Sequence, residues 1–65
     1  MSGQFKIEIN DSVWRRRAAV KTLDWAKVEI GRMARKEHRD YLKWRVMHGG
    51  IVAFECTQTE ARDLR

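Results

Sequence analysis

Proline is absent from the 65 residues, cysteine occurs once and glycine four times. A single thiol allows no internal disulfide, and no His and Cys stand at the short paired spacing of a zinc site, so the usual staples of a very small domain are missing. Long apolar runs are missing too. The longest stretch without a charged side chain, Val46 to Phe54, is nine residues and contains two glycines, far short of the roughly 20 that cross a bilayer. No membrane span is expected. The opening segment Met1-Ser2-Gly3-Gln4-Phe5-Lys6 has no basic region followed by an apolar core, so no secretory signal is expected and the cytoplasm is the default location. A chain this short buries only about 60% of its unfolded surface. One domain spanning residues 1–65 is expected, with self-association supplying part of its stability.

What the chain has in excess is positive charge, 14 Lys and Arg against 9 Asp and Glu. The excess is local. Residues Ser12 to Arg39 hold nine bases and three acids, a net +6, and the remainder sums to −1. A concentrated patch of this kind is the electrostatic footprint of a protein that meets nucleic acid or another polyanion, and equally that of a solvated face.

Phe5-Lys6-Ile7-Glu8-Ile9 alternates apolar with charged and predicts a strand with Phe5, Ile7 and Ile9 inward. Asn10-Asp11-Ser12 offers turn and helix N-cap chemistry. A helix is therefore expected from Ser12 or Val13 to about Glu37, with Ala19, Val20, Leu23, Ala26, Ile30, Met33 and Ala34 on its core side. Its first turn fits poorly, because Arg16 falls inside the apolar stripe and Trp14 opposite it. Either that turn overhangs the core or residues 13–17 form a short second strand and the helix begins near Ala18. The overhang is favoured, since the capping residues precede position 13. Such a helix would run about 39 Å, against about 23 Å for a seven-residue strand.

Tyr41 to Met47 and Ile51 to Cys56 alternate as well, around His48-Gly49-Gly50. A three-residue loop would pair Met47 with Ile51, Val46 with Val52, Trp44 with Phe54 and Leu42 with Cys56, and would set Lys43 opposite Glu55 on the other face. Thr57-Gln58-Thr59-Glu60 fits the capping box of a short helix with Ala61 and Leu64 inward. The expected fold is α+β, in the order β-α-β-β-α. Its sheet would be three-stranded and mixed, the helix crossover making the first two strands parallel, with the long helix covering one face.

Opposite the helix's core stripe lie Trp14, Ala18, Lys21, Trp25, Val28 and Arg32, flanked by Arg17 and Arg35. Trp14 and Trp25, eleven residues apart, would share a line. Three arrangements could cover them: a lid formed by a terminal segment, a homodimer through Trp14, Ala18, Trp25 and Val28, or unpaired bases stacked on the indoles while cations meet phosphates.

Catalytic chemistry is hard to assemble. Ser12, the one serine outside the N-terminal segment, is a cap or turn residue, and Cys56 points into the core in the expected register. His38, His48 and Cys56 fall on separate elements, so no metal is expected, nor a cofactor, a small-molecule substrate or an enzyme activity. The functional expectation is a small basic binding protein, homodimeric, engaging nucleic acid or a nucleoprotein complex through the long helix. Its candidate contacts are Arg15, Arg16, Arg17, Lys21, Arg32, Arg35 and Lys36. Tyr41, Lys43 and Arg45 on the hairpin's solvent face form a secondary surface. The alternative is a protein-interaction module, such as a phage-type or mobile-element inhibitor (anti-CRISPR-like), that docks on an acidic surface of a host protein machine through a few Trp and Arg anchors.

Overall fold

Two places where the strand alternation slips by one residue determine the architecture, and neither is marked by a glycine or proline. In the computed structural model, which describes residues 3–64, the chain runs β1 (Phe5–Asn10), β2 (Trp14–Val20), α1 (Leu23–Arg35), β3 (Lys43–His48), β4 (Ile51–Thr57) and α2 (Gln58–Ala61). Met1, Ser2 and Arg65 lie outside the described residues, and with them parts of the N-terminal segment and of the 1–65 domain span.

The strands form a single four-stranded sheet in the order β2-β1-β3-β4, antiparallel at every pairing. The expected three-stranded mixed sheet is therefore wrong, and the error begins at residue 14. The stretch read as the start of a long helix is a strand that turns back on β1. Three turn residues, 11–13, join the two, with Ser12 in the positive-φ region at 114° and its N–H donated to Asn10 Oδ1 at 2.9 Å. This is an Asx-type turn, so Asn10 closes a hairpin where it was expected to begin a helix. The favoured overhang fails, and the alternative second strand is present, ending three residues beyond the expected limit of 17.

A bulge explains why the strand does not look like one. Glu8 pairs with Arg16 and Ile7 with Ala18, so Arg17 is the extra residue. The phase of alternation flips across it, and Trp14 and Arg16 share the face opposite that of Ala18 and Val20. β1 then runs antiparallel to β3, Ile7 opposite Val46 and Ile9 opposite Trp44. The helical crossover links β2 to β3, which are parallel to each other but separated by β1.

The true helix start is Thr22, whose Oγ1 accepts the Trp25 N–H at 3.0 Å, with Asp24 in the first turn and Arg32 and Arg35 in the last. Thirteen residues give a helix of about 20 Å, the length of the strands beneath it, so the expected mismatch of helix and sheet disappears. Ala26, Ile30 and Ala34 pack on Ile7, Ile9, Val20, Trp44 and Val46, while Leu23 and Met33 border that core. Val20, expected on the helix, belongs to β2, and Ala19 is exposed there.

The second slip lies in the hairpin. Gly49 and Gly50 have φ of +60° and +80°, the pair of positive values that a two-residue type I′ turn requires. His48 thus pairs with Ile51 and Met47 with Val52, then Ala53 bulges and Val46 pairs with Phe54, Arg45 with Glu55, Trp44 with Cys56. The expected three-residue loop and its pairings are incorrect. Because turn and bulge together displace the register by two, Trp44, Val46, Phe54 and Cys56 still share the core face, whereas Val52 lies on the opposite face. Thr57 and Glu60 form the capping box read from the sequence, Glu60 N–H donating to Thr57 Oγ1 at 3.2 Å and Thr57 N–H to Glu60 Oε1 at 3.0 Å. Both helices lie on the core face. Among the described residues no helix is long and apolar enough to cross a membrane.

Candidate nucleic-acid interface

Making residues 14–20 a strand relocates the charge. The +6 of residues 12–39 divides into three from β2 and one each from Lys21, α1 and residues 36–39. The helix expected to carry the patch holds three bases against two acids, and the arginines stand at the edge of the sheet instead. Consecutive Arg15, Arg16 and Arg17 are all exposed there. An edge strand offers unpaired backbone groups to any passing strand, and charged side chains and a bulge both discourage that pairing.

These three arginines differ in what they touch. Arg15 Nε stands 3.4 Å from Asp11 Oδ1, an enclosed oxygen that takes no hydrogen bond among the described residues. Arg16 and Arg17 have no carboxylate within ion-pair distance among the described residues, nor do Lys6, Lys21, Lys36 and Lys43. Arg17 lies near enough to the residue 37 carboxylate to act on it. Glu37 is held below the usual carboxylate range, first by its hydrogen bonds from Arg39, with Arg39, Arg17 and His38 adding charge. Arg39, in turn, is held even more firmly protonated by Glu37 and Tyr41.

The sheet face turned away from the helices has its own order. Reading across the four strands, one row is Arg16, Glu8, Arg45, Glu55, alternating in sign, and the next is Trp14, Asn10, Lys43, Thr57, with no acid. Opposite charges on neighbouring strands favour this register. Arg45 Nε donates to Glu8 Oε1 at 2.7 Å, and the guanidinium sits 4.0 Å above the Trp14 ring. The structure thereby unites Trp14 and Arg16 with Lys43 and Arg45 of the expected secondary surface. Lys6 and Arg16 also line a shallow hollow beside Met47 and the Gly49-Gly50 turn. Tyr41 is 67% exposed just before β3.

Other expected contacts do not join this surface. Arg32 pairs with Glu29 at 3.2 Å, and Arg35 donates to the backbone carbonyls of Leu64 at 2.8 Å and Arg62 at 3.3 Å, so its guanidinium clamps the C-terminal segment. Lys36 is the helix C-cap. Trp25, 50% exposed, and Val28 lie on the outer side of α1, across the sheet from Trp14. The shared Trp14 and Trp25 line required one continuous helix and does not exist, and Ala18 has turned to the core side of β2.

Lys6 is not among the expected contacts because it lies outside the +6 segment, although its alternation with Ile7 places it on the open face. Among the described residues no three His, Cys, Asp or Glu gather into a group able to hold a metal. Cys56 is buried, and burial followed by the charges of Glu60 and Glu55 pushes its thiol up to about 11. Comparison of the chain with protein-family models, with curated proteins and with solved structures returned no match.

Proposed function

We propose that this chain is a small basic binding protein of the cytoplasm that engages nucleic acid through β2 and the uncovered sheet face. One observation carries the reading: Arg16 and Arg17 are adjacent on an edge strand, exposed and free of carboxylate partners among the described residues. Arg15, Lys6, Lys21 and Lys43 extend the cationic surface around them. Unpaired guanidinium groups are suited to phosphate, which they meet with two parallel N–H donors. The test is binding to short oligonucleotides over a range of salt. With four to six phosphate contacts, the logarithm of affinity should fall against the logarithm of salt with a slope near −4 to −5 on duplex and −3 to −4 on single strands. An Arg16→Glu, Arg17→Glu double variant should lose most of it. Absence of binding at low salt would refute the proposal.

A second reading, docking on an acidic protein surface, is favoured by Trp25 standing half exposed beside Val28 and Arg32 on α1, since Trp and Arg dominate interface energetics. The same stripe is where two copies would meet in a homodimer. Here Trp25→Ala should abolish the complex while the double Arg variant leaves it, and sedimentation at micromolar concentration distinguishes a second copy from another protein.

A further inference from the structure

The uncovered face specifies which form of nucleic acid it fits. Four strands at about 4.8 Å spacing place the outer backbones roughly 14 Å apart before side chains are counted, wider than the roughly 12 Å major groove, which admits a helix or a two-stranded ribbon. The one helix long enough for a groove, α1, has Arg32 paired with Glu29 and Arg35 engaged with backbone carbonyls, so its free cations are few. What the sheet does offer is a partly buried indole, Trp14, supported on one side by Arg45 at 4.0 Å. It lies in a row with no acid that leads to Lys43, and Arg16 follows two residues along the same face.

We infer that the ligand is single-stranded nucleic acid lying across the open sheet face, with an unpaired base stacked on Trp14 and its phosphates on Arg16 and Lys43; this rests on the nucleic-acid reading above. Stacking needs a base whose face is free, which a duplex does not present, and it tolerates any base because each has a π-face. Arg45 stiffens the platform, since its guanidinium is held in turn by Glu8 at 2.7 Å. Glu8 and Glu55 in the neighbouring row repel phosphate and confine the strand to the Trp14 and Lys43 row and to Arg16, which stands at the sheet edge of the acidic row.

The experiment is anisotropy with a labelled 12-mer of thymidylate and a blunt 12-base-pair duplex, using the full chain and the variants Trp14→Ala, Trp14→Phe and Trp25→Ala. The single strand should bind more tightly than the duplex. Trp14→Ala should weaken it by about 5- to 150-fold, Trp14→Phe should restore most of that, and Trp25→Ala should leave it unchanged. If Trp14→Ala does not fold, a Trp25→Phe background leaves Trp14 as the one tryptophan besides the buried Trp44, and its fluorescence, excited selectively over Tyr41, should be quenched by the single strand. Equal affinity for both forms, an unaffected Trp14→Ala, or no quenching overturns the stacking proposal. If the double Arg variant still loses binding in that case, the broader reading stands; no binding of either oligonucleotide at low salt removes both.

Discussion

The side-chain amide of Gln58 accepts the indole N–H of Trp44, and both residues are completely enclosed. The same amide donates to the Ala34 carbonyl at 2.8 Å and the Glu37 carbonyl at 3.4 Å. One short polar residue thus joins the central strand to the end of α1: it adds a donor to carbonyls that also accept from the Glu37 N–H and from Arg62, and it is the partner of the enclosed indole N–H. Leaving that indole N–H unpaired costs about 1 to 3 kcal/mol, and truncating a fully buried side chain adds the loss of its packing. Gln58→Ala should therefore lose about 2 to 4 kcal/mol, a fall in Tm on the order of 10 to 25 °C for a domain this small, with Trp44 emission shifting to the red. A loss under about 0.5 kcal/mol in urea denaturation would mean that packing alone anchors the indole.

Gly31 stands mid-helix, where replacement by alanine ordinarily stabilises by up to about 1 kcal/mol. Here the sign should reverse. A Cβ at this position would come within 2.4 Å of the Leu64 carbonyl oxygen, a backbone atom that cannot rotate away. Gly31→Ala should cost about 1 to 3 kcal/mol and release residues 62–64 from Arg35, visible as faster amide exchange there. Deleting residues 63–65 should restore the ordinary sign, the truncated Gly31→Ala protein being more stable than the truncated parent.

The legible parts of this fold were those in which sequence period and structure agree. β1 alternates without interruption, and Thr57 with Glu60 announces its helix three residues apart. β2 was hidden by its bulge at Arg17. Inserting one residue into the alternation brings apolar positions to near-helical spacing, and the adjacent Ala18-Ala19 pair has high helix propensity. The one available corrective was Thr22 followed by Asp24, a capping signal overshadowed by Asn10, Asp11 and Ser12. For the candidate site, the residue types were readable and their grouping was not. Which face Trp14 shares with which cation depends on strand pairing, a non-local property. Gln58 was visible only as a position within the capping box, since nothing local marks a glutamine for burial.

Cys56 sets a pH dependence. Its thiol is pushed up to about 11 from 9.0 by burial first and then by Glu60 and Glu55, so the folded state favours the protonated form. The sign follows from linkage: this contribution to stability is complete below the unfolded value near 9 and is lost as pH rises toward 11. The stability difference between the parent and Cys56→Ala should therefore shift against the parent across that window and be flat from pH 6 to 8. Alkylation by iodoacetamide at pH 8 should be about a hundredfold slower than for an unfolded control, in line with the smaller thiolate fraction.

Glu8 separates folding from binding. Its carboxylate holds Arg45 at 2.7 Å with both side chains partly enclosed, a pair better placed than the exposed ones that contribute about 0.2 to 1 kcal/mol. It is also a negative charge in the centre of the face assigned to phosphate. Glu8→Gln keeps an acceptor oxygen for the guanidinium but removes the charge, so stability should fall by about 1 kcal/mol. Affinity for a polyanion should move the other way, because Arg45 becomes available and one repulsive charge is gone. If Arg45 then meets one additional phosphate, the salt slope on single strands should steepen by about 0.7. Urea denaturation and salt-dependent anisotropy on one preparation measure both quantities. Opposite movements are the signature of an acid that serves the fold at the expense of the ligand, whereas affinity and salt slope unchanged while stability falls would show that the ligand does not lie on this face.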